Sequence, residues 1–176
     1  FVSDVSRDGK KILCYGQQKG TGQGELYYVD LIKRKKYQLT KNRLQEWGGV
    51  FSSDEKWLAY TSEKDMEGSF AIYLNRFPEM NREIRISAGG GEEPKWLPDG
   101  SGVYYRNGPQ WMKVSLKLDG EPEIGEPELF FEGDYLNVWG PSHDVFPDGR
   151  ILLLKGEEWV PPTEIDVIIN ALDLAP

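Results

Sequence analysis

Cysteine and histidine are nearly missing from this chain, with one of each in 176 residues. Cys14 alone can form no internal disulfide and is expected as a buried apolar thiol. His143 alone, with no G-x-S-x-G segment anywhere, places any histidine-dependent serine hydrolase chemistry outside this chain. Long apolar runs are missing as well. The longest aliphatic stretch, Ile151-Leu152-Leu153-Leu154, falls far short of the roughly 20 residues needed to cross a bilayer, so no membrane insertion is expected. Positive charge is in deficit: 21 Lys plus Arg stand against 29 Asp plus Glu, for a net charge of -8. That balance argues against nucleic acid or an anionic lipid surface as the main partner. The chain opens at Phe1 without methionine or a signal-like segment, which reads as a piece of a longer polypeptide.

What the sequence does contain is a spaced series of tight acidic turns. Asp8-Gly9, Asp54-Glu55, Asp99-Gly100 and Asp148-Gly149 stand 46, 45 and 49 residues apart, and each opens a hydrophobic strand. A period in this range, with several short strands per unit and no helix between, is the signature of propeller blades. In Pro98-Asp99-Gly100 and Pro147-Asp148-Gly149 proline supplies a fixed φ and glycine a cheap left-handed backbone. Ser53-Asp54-Glu55 departs from this: either its turn avoids positive φ or Glu55 is strained.

Each turn separates a first strand from a second, and four strands recur per unit. Second strands are Ile12 to Tyr15, Trp57 to Tyr60, Val103 to Tyr105 and Ile151 to Leu154. Third strands lie at 25–30, 71–74, 111–114 and 165–169, and fourth strands at 36–39, 83–87 and 128–131. Ile165, Ile168, Ile169 and Leu172 also fit a helical face, but β-branched residues dominate and the repeat asks for a strand there. Many of these runs are continuously apolar instead of alternating, which implies that both sheet faces are covered. The expectation is an all-β chain, 1–176, holding a partial β-propeller. It has about four blades of four antiparallel strands, near 1–44, 45–91, 92–136 and 137–176, the last lacking its fourth strand.

The stretches Glu93-Pro94-Lys95-Trp96-Leu97-Pro98-Asp99-Gly100 and Asp144-Val145-Phe146-Pro147-Asp148-Gly149-Arg150, with Tyr37-Gln38-Leu39-Thr40, resemble the TolB-type, WD40-like propeller repeat. More narrowly, the runs 86–94, 129–133 and 165–170 are similar to the carboxy-terminal propeller blades of bacterial serine/threonine-kinase-associated and TolB-like proteins. The resemblance covers nearly the whole chain. It implies a six- to eight-bladed ring overall, a non-catalytic role and an extracytoplasmic setting. His143 and Glu55 depart from the usual residues of the repeat.

No constellation of residues points to bond-breaking chemistry. Ser142-His143-Asp144 has the residue types of a triad, but neighbours on a strand point to opposite faces. Gly20-Thr21-Gly22-Gln23-Gly24 precedes a strand, whereas a phosphate cradle precedes a helix. The pairs Glu92-Glu93 and Glu157-Glu158 lack the spacing of a calcium loop, so neither metal nor cofactor is expected. Lys33-Arg34-Lys35-Lys36 falls on a hairpin where charge keeps an edge soluble. Trp47, Trp96 and Trp139, near the starts of first strands, read as packing residues.

Recognition is therefore expected at the channel mouth, where loops from successive blades gather. The residues there are Gln45, Glu46, Trp47, Glu92, Glu93, Asn137, Trp139 and His143. The expected partner is a protein or peptide, and open blade edges favour self-association. The competing expectation is a gating propeller of a prolyl-oligopeptidase-like serine peptidase with its catalytic domain elsewhere.

Overall fold

The computed structural model describes residues 1–17, 24–41, 44–66, 68–138 and 141–156. All regular structure among them is β. The first sheet holds β1 (Val2–Val5), β2 (Lys11–Gln17), β3 (Gly24–Asp30) and β4 (Lys35–Gln38), antiparallel and in chain order. The second repeats that order with β5 (Glu46–Phe51), β6 (Trp57–Met66), β7 (Ser69–Arg76) and β8 (Ile84–Arg85). In the third, β9 (Glu92–Trp96), β10 (Gly102–Asn107) and β11 (Gln110–Lys117) are followed by two short strands on one edge, β12 (Glu123–Ile124) and β13 (Glu128–Glu132). The fourth is the pair β14 (His143–Val145) and β15 (Ile151–Leu153).

The acidic turns are the hinge of each blade, and hydrogen bonding explains why aspartate sits there. Asp8 accepts from the Lys10 amide at 2.9 Å and the Ser6 hydroxyl at 2.8 Å, while the Gly9 amide bonds Ser6 O. These donors hold the Asp8 carboxyl down at about 2. Asp54, Asp99 and Asp148 likewise accept the amide two residues on. The residue after each aspartate is left-handed, with φ of 68°, 56°, 74° and 87°. Glu55 thus takes the strained alternative: it adopts the glycine conformation, and its carboxylate meets Lys11 Nζ at 2.6 Å across to the first blade.

Packing between blades makes the core. Leu13 and Leu26 of the first blade meet Phe51, Leu58, Tyr60, Tyr73 and Phe77 of the second. On its other face the second blade presents Trp57, Ala59, Ile72 and Leu74 to Val103, Tyr105 and Val114 of the third. Adjacent residues of β6 and β7 therefore bury in opposite directions, which is why these runs are apolar throughout. Each fully buried side chain of this kind contributes about 1.5–3 kcal/mol. The ladders Cys14↔Tyr27 and Tyr60↔Tyr73 set equivalent positions. Ile12, Cys14 and Tyr27 accordingly occupy on the first blade the places of Leu58, Tyr60 and Tyr73, yet are only half-buried. At the far end Leu152 and Leu154 are 54% and 42% exposed.

Two devices recur that register alone does not announce. The Leu26 amide donates to Thr40 Oγ1 at 3.0 Å and the Ile72 amide to Ser87 Oγ at 2.9 Å, so a hydroxyl closes each of the first two blades. Every inner strand of the first three blades also carries a register slip, between Val2 and Asp4, between Trp47 and Val50, and opposite Tyr104 and Arg106.

Several expectations need correction. The second blade's fourth strand is Ile84–Arg85, extended by one bond from Ile86 N to Ile72 O, and not 83–87. The third blade adds β12, because Pro127, which has no amide hydrogen, separates two short edge segments. Trp47 opens β5 whereas Trp96 closes β9, so they do not share a blade position. The expected third strand at 165–169 and the pair Glu157-Glu158 lie outside the described residues, as does most of the Gly20–Gly24 loop.

Candidate functional site

Strand ends and inter-blade loops place the candidate residues at two depths. At the rim, Gln45 and Asn137 are exposed, and Trp47 and Glu92 are half-buried. The Gln45 amide donates to Glu63 Oε1 at 3.0 Å, which pins the approach to β5. Trp47 stands edge-on to Phe70, centroids 5.9 Å apart. Burial and the neighbouring Glu93 charge push the Glu92 carboxyl up, with Arg106 opposing. Trp139 lies outside the described residues.

Below the rim, Glu46, Glu93 and His143 are buried, at 1%, 3% and 5% exposure. Glu93 sits at the slip in β9 with φ of 56°, the conformation that Gly48 adopts in β5 with φ of 63°. A non-glycine residue there is costly by about 1–2 kcal/mol. What the strain achieves is visible in its contacts. Glu93 Oε2 accepts from the Ser142 amide at 2.9 Å and the Ser142 hydroxyl, and faces His143 Nδ1 at 3.2 Å. Burial acts to raise the Glu93 carboxyl, but the His143 and Ser142 donors together bring it below its ordinary value. An ionised carboxylate at that distance places the imidazole proton on Nδ1. The His143 ring stands edge-on to Trp111, centroids 4.5 Å apart.

Arg106 completes the joint. It is 7% exposed, and its guanidinium donates to Gly108 O at 2.8 Å, Leu136 O at 2.7 Å and Tyr135 O at 2.8 Å. One Nη also approaches Ser142 Oγ at 3.4 Å. Sequence reasoning passed over Arg106, Ser142 as a ligand of Glu93, and Trp111. The available signal was Arg106 itself, the charge that ends the apolar run Val103-Tyr104-Tyr105.

The arrangement joins the third blade to the fourth. Ser142 precedes β14, so the strand alternation expected to separate it from His143 does not apply, and both converge on one carboxylate oxygen. The Ser142 hydroxyl donates to Glu93 and not to the imidazole, so the serine–histidine hydrogen bond of a hydrolase triad is not formed. Among the described residues no group of three His, Cys, Asp or Glu side chains could hold a metal ion. On the axial wall Lys95 pairs with Asp144 at 3.3 Å, and Asp4 accepts the Phe51 amide at 2.7 Å. A shallow hollow lined by Ser3, Trp47, Pro94, Lys95 and Pro141 lies beside them.

Small antiparallel sheets stacked face to face, with their first strands innermost, define a β-propeller array. No family model matches the chain. It is similar to the Tol-Pal system protein TolB of Desulfosudis oleivorans, 26% identical over 105 residues, which cover 60% of this chain and 22% of that protein. Among solved structures it is similar to a putative TolB from Agrobacterium tumefaciens, with 20% identity, a TM-score of 0.64, and 88% of this chain and 57% of that one covered. It is also similar to TolB from Acinetobacter baumannii, with 18% identity, a TM-score of 0.64, and coverage of 89% and 38%. The chain has a β-propeller fold, similar to that of the solved TolB structures. It spans about a fifth of the curated relative's length and about half or less of the two solved chains.

Proposed function

We propose that this chain is a non-catalytic recognition module whose rim residues Gln45, Trp47, Glu92 and Asn137 contact a protein or peptide partner. The observation that carries the reading is the division of labour among polar groups. Glu93, Ser142, His143 and Arg106, the groups with chemical potential, bond one another and the backbone inside a joint. The rim groups are reachable: Trp47 and Glu92 stand on β5 and β9, and Gln45 and Asn137 lie in loops beside strands fixed by buried packing. Loops on a rigid scaffold are where recognition concentrates. The similarity to a Tol-Pal system protein supports a protein partner.

A photo-crosslinking side chain at Gln45 or Asn137, compared with one at Ser53 on the opposite turns, tests this in cells. The expected result is one protein captured from the rim positions and not from Ser53. Affinity for that protein should then fall at least about tenfold, or about 1.4 kcal/mol, with Trp47→Ala plus Glu92→Gln. Unchanged affinity in that double variant would remove the rim from the function.

A further inference from the structure

The three outer edges of the complete blades differ in a way the repeat does not require. β4 reads Lys-Lys-Tyr-Gln, and Lys35 and Lys36 lie over the rings of Tyr37 and Tyr27 at 5.0 and 4.3 Å. β8 is only two residues long, and its Arg85 is held by Asp65 and by the carbonyls of Ser87 and Gly89. Short or cationic edges of this kind resist strand pairing. β13 is different: five residues, Glu-Leu-Phe-Phe-Glu, with Leu129 54% and Phe130 49% exposed. Among the described residues it pairs on one side only, with β11. The ladder slips at Phe130, whose ring packs against Tyr104 and against Phe131, itself stacked on Trp111. An apolar surface of about strand length thus lies beside an open backbone edge.

The charges on this edge choose the occupant. Antiparallel pairing of β13 with a second copy of itself would set Glu128 against Glu132 at both ends, and like charges directly opposite are destabilising. Glu126 and Asp134 next to it deepen the negative field, and Lys113, across the ladder from Glu128, lies on the inner side. We propose that β13 is a docking edge for an extended peptide segment with an apolar centre flanked by Lys or Arg, bound by strand addition. Main-chain hydrogen bonds give the affinity in this mode, and the flanking charges give selectivity. The site is distinct from the channel rim and stands or falls separately from it.

The test uses the whole chain and three blocked synthetic peptides, followed by calorimetry or amide shifts of 128–132. One has a Val-Phe-Val centre with a lysine on each side, one carries glutamate in place of lysine, and one is the lysine peptide N-methylated at alternate amides. The lysine peptide should bind at least about tenfold more tightly than the glutamate peptide, and N-methylation should abolish binding. Reversing both exposed charges, Glu128→Lys with Glu132→Lys, should invert the preference between the peptides. Leu129→Lys should weaken binding at least about tenfold without lowering the melting temperature. Equal affinity for the two flanks, tolerance of N-methylation, no binding at millimolar peptide, or a preference that survives the charge reversal would each overturn the proposal. So would a concentration-dependent dimer of the unliganded chain that Leu129→Lys dissolves, because the occupant would then be a second copy.

Discussion

The joint between the second and third blades and the joint between the third and fourth rest on opposite chemistry. In the first, Trp57, Ile72, Leu74, Val103, Tyr105 and Val114 close a hydrocarbon interface. In the second, Glu93 gathers Ser142 and His143, and Arg106 gathers three backbone carbonyls. The choice is made at one bulged position of the inner strand, glycine in β5 and glutamate in β9. Hydrocarbon contact is non-directional, so its stabilisation scales with area. A buried carboxylate is favourable only while its donors stay in place, which makes the second joint the more exacting one.

The largest perturbation of this contrast is Trp57→Ala, which deletes a fully buried indole from the hydrocarbon joint. A loss of about 3–5 kcal/mol is expected, spread over the second and third blades, and calorimetry would register it as a lower melting temperature. A loss under about 1 kcal/mol would mean that the apolar joint is not what holds the array. Glu93→Gln keeps the shape of the polar joint but removes its charge, and about 1–3 kcal/mol should go. The effect should be local, with amides of β14 and β15 exchanging faster while β6, β7 and β10 keep their protection. Uniform loss of protection would erase the distinction between the joints.

Acid sharpens the same comparison. The folded Glu93 carboxyl lies below its ordinary value. Its stabilisation is therefore complete above the unfolded glutamate value of about 4.3 and is lost as pH falls through the lower folded value. Wild-type β14 and β15 should loosen in that window, and the Glu93→Gln chain should lack that limb of the pH profile. The smallest expected effect belongs to Glu55→Gly, which carries the comparison to the first joint. Relief of the left-handed backbone, about 1–2 kcal/mol, opposes loss of the Lys11 ion pair, about 0–1 kcal/mol, so a slight gain is expected. A clear loss in chemical denaturation would show that the bridge between the first two turns outweighs the strain.

The turns and the apolar second and third strands were legible in the sequence because both are local. An aspartate that caps its own turn and a run apolar on both faces leave marks within ten residues of each other. The polar joint was not legible in the same way. Glu93 and His143 are 50 positions apart, and each alone reads as a rim residue, so the rim candidates divided once depth was known. Only Arg106 carried a local trace, as a charge ending an apolar strand. β12 escaped because two residues carry no periodicity, and the tryptophans misled because their spacing does not follow the turns. The edge strand β13 was visible as a strand, but its contrast with β4 and β8 required knowing which side of each was open.

The alternation of faces along β6 and β7 has a consequence for how such chains change length. Leu58, Tyr60 and Tyr73 receive the blade before, while Ala59, Ile72 and Leu74 are received by the blade after. Because the second sheet is both socket and plug, a copy of that unit made in frame would find a ready-made neighbour on either flank. Gene duplication can thus enlarge the array without inventing a contact surface, whereas a copy of the third unit would also import the demand for a serine and a histidine on whatever follows it.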